Sequence, residues 1–155
     1  MQVIHHPNGF LRVEFSRKPT GEADRLHVWD EPGAQDSDIH QHSYDFTSVV
    51  LEGVMREDLY GYREDPDGEW EHWPVICGVG EDGQYRTELG PDPVRVSPVL
   101  LATLTHRAGE TYVRPAADYH LVTALEVPLV TRVVTGAVAD PGHYFMRKRA
   151  DGAAR

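Results

Sequence analysis

Cysteine is almost missing from this 155-residue chain: Cys77 is its single example. An internal disulfide is therefore excluded, and the composition fits a reducing compartment. Cys77 lies in the apolar run Val75-Ile76-Cys77-Gly78-Val79, which suits a buried, inert thiol better than a nucleophile. Positive charge is scarce too, with 15 Lys and Arg against 25 Asp and Glu and a formal net charge of −10. Clustered Lys and Arg are what hold phosphate backbones and anionic bilayers. Nucleic acid and membrane are thus not expected as partners. Long apolar runs are absent, and residues 1–10 are already broken by His5, His6, Pro7 and Asn8. No signal peptide or membrane span is expected, and the expected location is cytoplasmic. The length suits one domain over 1–155 and not two.

Helical periodicity is also sparse, and punctuation takes its place. Fourteen Gly and 11 Pro cut the chain into short pieces. The pieces are rich in Val, Leu, Thr and aromatics and read as strands over 11–15, 25–29, 47–51, 99–104, 120–127 and 129–135. Pro128 is expected to make a turn between the last two. Residues 81–84 read as a hairpin loop, and 61–71, acidic and carrying Pro66 and Gly68, as an exposed loop. The basic end, 146–155, has no apolar period and reads as a solvated, flexible tail. Many short strands at this spacing predict an all-β sandwich or barrel.

The chemistry-bearing stretch is Asp38-Ile39-His40-Gln41-His42-Ser43-Tyr44-Asp45-Phe46. In a strand, residues two apart share a face, so His40 and His42 would offer two imidazoles to one ion. Tyr44 and Phe46 would share that face and line the pocket, or simply fill the core. Asp45 would point away, as an outward residue or one that orients an imidazole or pairs with an arginine.

Two segments resemble the two signature motifs of the cupin superfamily. The first motif is G-x5-H-x-H-x3,4-E-x6-G. Here His40-Gln41-His42 is followed by three residues, Phe46, six residues and Gly53, with Ala34 in the leading glycine's place and Gly33 beside it. The second motif is G-x5-P-x-G-x2-H-x3-N. Gly109, Pro115 and His120 fall in register, with Ala117 and Ala124 in the places of the second glycine and the asparagine. The resemblance implies a double-stranded β-helix, the cupin jelly-roll barrel, with one metal ion on His40, His42 and His120. The superfamily's fourth ligand, a carboxylate, is replaced by Phe46. In this the chain is similar to three-histidine thiol dioxygenases of the cysteine dioxygenase type, which also lack that carboxylate. In that family an aromatic-x-Arg near the N-terminus holds the substrate carboxylate, and Phe10-Leu11-Arg12 stands comparably here.

Three neutral imidazoles leave the full charge of the ion to attract an anionic ligand. The expected function is an iron-dependent oxygenase acting on a small anionic molecule bound directly to the metal. Fe(II) is favoured, with Zn, Ni, Cu or Mn also compatible with three imidazoles. Arg12 or Arg132, each inside an apolar strand-like run, would anchor the substrate's carboxylate. No catalytic acid or base is assigned. A metal-assisted lyase or isomerase working without O2, and a non-catalytic ligand-binding cupin, are the rival readings. The remaining histidines, His5, His6, His27, His72, His106 and His143, are expected to be structural or exposed. The protein is expected to be a monomer or homodimer.

Overall fold

The computed structural model describes residues 1–6, 9–79, 85–138 and 142–150, the side chains at 77–79 and 85–87 excepted. Within them the chain forms strands β1 (Gln2–His5), β2 (Leu11–Arg17), β3 (Ala23–Trp29), β4 (Ile39–His40), β5 (Phe46–Glu64) and β6 (Trp70–Val79). It continues with β7 (Tyr85–Leu89), β8 (Val94–Arg107), β9 (Thr111–Arg114), β10 (Tyr119–Thr135) and β11 (Gly142–Lys148). Among the described residues there is no helix, and so none long and apolar enough to cross a membrane.

Every pairing is antiparallel, and the hydrogen bonding returns to its start through β10, β4, β11, β6, β8, β5 and again β10. Strands β3, β2 and β1 extend from β10 on one flank, β9 pairs with the start of β5, and β7 with β6. Closure of this kind removes most exposed edges. The architecture is an all-β jelly-roll barrel of the cupin type.

The two long strands make the closure possible by bending. The first part of β5 pairs with the last part of β10 (Phe46↔Thr135 to Glu52↔Val130), and its second part with the start of β10 (Val54↔Glu126 to Tyr60↔Tyr119). Between them sits Gly53 at φ +81°, where an added Cβ would meet the Glu126 carbonyl oxygen at 2.5 Å. Only glycine fits this corner. Period-two burial follows along β5: Phe46, Ser48 and Val50 face in, and Thr47 and Leu51 face out. The main core cluster joins Phe10, Trp29, Val50, Met55, Val122 and Leu129. A second cluster joins Ile39, Val96, Tyr119 and Met146. Each fully buried aliphatic side chain contributes roughly 1.5–3 kcal/mol.

Several expectations are corrected. Pro128 makes no turn: β10 runs through it with shifts of register against β5 on either side, and β3 takes up pairing from Leu129 onward. Residues 61–64 and 70–71 belong to β5 and β6, leaving only 65–69 as connection, since β8 pairs with both strands. The basic end is not a free tail through 148: β11 carries the fully buried Met146 and pairs with β6. The expected hairpin loop at 81–84, the side chain of Cys77 and the last five residues lie outside what is described.

Candidate metal centre

His40 ends the short strand β4, His42 follows in the irregular link to β5, and His120 starts β10 directly opposite His40. The link is pinned at both ends. Gln41 N–H donates to the Tyr144 carbonyl and its side chain to the Ala117 carbonyl, while Gly136 N–H donates to the Asp45 carbonyl. The three imidazoles therefore converge without a continuous strand, and one ligand nitrogen from each lies within 4.8 Å of the others.

The tautomers are set from behind. His40 Nδ1 sits 3.0 Å from the Asp38 carbonyl, and His120 Nδ1 sits 2.7 Å from Glu57 Oε1. With the Nδ1 atoms donating to these acceptors, the Nε2 lone pairs are left to face the pocket. His42 Nε2 is 3.0 Å from His120 Nε2. Nitrogens at adjacent positions around an ion with bonds of about 2.1 Å stand at such a separation. Burial, before any neighbouring charge, pulls His40 down from its ordinary pKa and His42 well below it. Both are thus neutral, as metal ligation requires. The donor set fits one divalent ion.

Glu57 was not foreseen. Its fully buried carboxylate accepts from His120, from Arg114 Nε and Nη2 at 3.0 and 2.7 Å, and faces His106 Nε2 at 3.0 Å. Burial alone would raise its pKa, but the hydrogen bonds from His120 and Arg114 bring it down to about 2. In the sequence it sits within Arg56-Glu57-Asp58, which reads as solvated charge.

Phe46 is buried and presents its ring to His42 at 5.0 Å and to His120 at 5.8 Å, between centroids. Tyr44 stacks on His42 at 5.3 Å, and its hydroxyl accepts from Arg25 Nη1 at 3.1 Å. Asp45 is exposed and accepts from Ala116 N–H, so it orients neither an imidazole nor an arginine. Arg132 is also exposed and forms a two-pronged pair with Asp24, because it occupies an outward position of β10. It does not reach the pocket. Arg12 is half-buried near Arg25, but does not line the cavity.

The cavity has a volume of about 330 Å³ and is walled by the three histidines together with Tyr44, Phe46, Arg25 and others. His6, His27 and His143, expected to be structural or exposed, line it as well. Alternation along Arg25-Leu26-His27-Val28-Trp29 was the available signal for Arg25 and His27.

No protein-family model and no curated protein matches the chain. Solved structures similar to it include KdgF from Halomonas sp., at 18% identity over 87% of both chains with a TM-score of 0.48. Another is the formate complex of Lactobacillus farciminis oxalate decarboxylase, at 13% identity over 90% of this chain and 31% of that one, TM-score 0.49. A recombinant oxalate oxidase in complex with glycolate is similar at 16% identity over 89% of this chain and 55% of that one, TM-score 0.48. The chain thus spans less than two thirds of the latter two. The fold assignment itself rests on the closed antiparallel circuit and its two bent strands.

Proposed function

We propose that the protein is a metal-dependent enzyme, an iron-dependent oxygenase acting on a small anionic molecule that binds at His40, His42 and His120. The observation that carries this reading is the composition of the site. Among the described residues three imidazoles cluster, no carboxylate joins them, and Phe46 packs where one would stand. Neutral ligands cancel none of the charge of an ion, so the open side of the site favours an anion. Iron suits imidazole ligation with open positions for substrate and O2. When bound, it would supply activation of dioxygen beside the substrate. The chain's own residues hold and shield. Glu57 and the Asp38 carbonyl fix two imidazoles, Phe46 keeps water from one side, and Tyr44 packs along His42.

The test is metal analysis of the protein as purified, followed by oxygen uptake by the iron-loaded form with small thiols and keto acids. Substrate-dependent uptake is the expected result. Turnover without oxygen would overturn it in favour of a lyase or isomerase, and binding without turnover in favour of a ligand-binding protein.

A further inference from the structure

An antiparallel sheet with one face on a core commonly turns polar side chains to water on the other. The flank made by β1, β2, β3, β10, the start of β5 and β9 departs from this. Directly paired residues share a face, so the pairings fix its outward rows. The middle row runs Val3, Val13, Leu26, Arg132, Val49 and Thr111. One neighbouring row carries Leu11, Val28 and Val130, and the other Val134, Thr47 and Val113. Val3, Val134 and Val113 are 57%, 48% and 60% exposed, while Leu26, Val28 and Val49 are half-buried among their neighbours. The residues that alternate with them, such as Arg25, Leu129, Val133 and Ser48, are buried on the inner side.

Six adjacent strands thus hold an apolar face toward water. With strands about 4.8 Å apart and rows about 7 Å apart, its footprint is roughly 500 Å². Monomers rarely leave a contiguous apolar patch of more than a few hundred Å² without a partner. A stable interface takes about 800 Å² of accessible surface from each side, so this face supplies the greater part of one.

Charge selects the occupant. The chain carries a net −10, yet within the three rows Arg132 and Asp24 neutralise each other at 2.7 Å. Glu52, at the end of the Val130 row, is the charge left over. Two copies of this acidic chain can therefore meet here with little repulsion. A sheet face is also self-complementary in shape, and two of them pack with a two-fold axis between them.

We infer that this face is the seat of a second copy of the chain, in a symmetric sheet-on-sheet dimer. The same strands carry Arg25, His27, Thr131 and Val133 on their inner side, where they line the cavity. Pairing of two copies braces that wall from behind.

Sedimentation velocity on the full chain tests the assignment. The wild type should run at twice the chain mass of 17.4 kDa at micromolar concentration, and high salt should not dissociate it. Val134→Glu should raise the dimer dissociation constant at least about 100-fold, because each interface would bury two unpaired carboxylates. Val113→Glu, on the edge strand β9, should act the same way and covers the case in which Val134→Glu fails to fold. Leu101→Glu changes a residue that is 67% exposed on β8, outside this flank, and should leave the dimer intact. A monomeric wild type would overturn the inference, and its cosedimentation with phosphatidylcholine vesicles would give the face to lipid instead. So would a dimer that survives both valine variants, or one that Leu101→Glu dissociates.

Discussion

Glu57 Oε1 lies 2.7 Å from His120 Nδ1, so the imidazole that heads β10 is braced by a charge sealed entirely inside the barrel. The same carboxylate is held by Arg114 from the end of β9. Glu57→Gln keeps the shape but weakens the pull on His120. Metal affinity, read by competition with a chelator, should fall by about 10–100-fold. Glu57→Ala should also destabilise the fold, by about 3 kcal/mol, because buried Arg114 keeps only the half-exposed Asp118 as counter-charge and His120 loses its acceptor. Unchanged metal affinity in Glu57→Gln would show that His120 is oriented by something else.

His42 and His120 face each other from different segments, and the strand pairing at His120 is made by its backbone, which Ala retains. Replacing either by Ala should reduce metal content well below one ion per chain, with the β-rich circular dichroism spectrum retained. Stoichiometric metal in both variants would reject the three-histidine site.

Phe46 faces two of the ligand imidazoles, which makes Phe46→Glu informative. The new carboxylate should act as a fourth ligand, hold metal more tightly and weaken binding of anions by cancelling a unit of charge. A marked fall in melting temperature with no gain in metal affinity would mean that Phe46 is only packing, since an unpaired buried carboxylate costs several kcal/mol.

His6 stacks on Phe10 at 4.3 Å, and burial, followed by the Arg12 charge, lowers its pKa from 6.5 to about 4. Between those values the unfolded chain takes up a proton on this residue and the folded one does not. Stability from this group is therefore complete above pH 6.5 and declines as the pH falls toward 4. Melting curves across that window should show the decline, and His6→Phe should lessen it, with His27, His40 and His42 contributing the rest. Parallel curves for the two proteins would refute the assignment.

The three-histidine cluster was legible because two spaced motifs carry His40, His42 and His120, and the strand-rich pattern with glycine and proline breaks pointed to a barrel. Strand alternation does not account for His42, which sits outside any strand in a link held by hydrogen bonds from Gln41. Residues that matter through distant partners were not legible. Glu57 meets its three partners 49 to 63 positions away in the chain. Arg132 looked like an inward cation in an apolar run, but one face of β10 is open to water and Asp24 waits there. Arg25 belongs to an alternating strand, but which face of that strand is inward is fixed only by its pairing with the distant β10.

The unbroken course of β10 past Pro128 limits which changes of length the protein can tolerate. One strand carries His120 near its start and Thr131 and Val133, the backing of Arg25 and His27, near its end. No loop separates the two ends of the cavity on this side, and the room for a change of length is confined to the register shifts between Ala124 and Thr131. Losing a single residue near Pro128 would turn the remaining strand over. Arg132 would swing into the cavity, the fully buried Leu129 would face water, and Arg25 would lose Val133 as its neighbour while the histidines stayed in place. Connections such as 65–69, remote from this wall, can lengthen without moving either end.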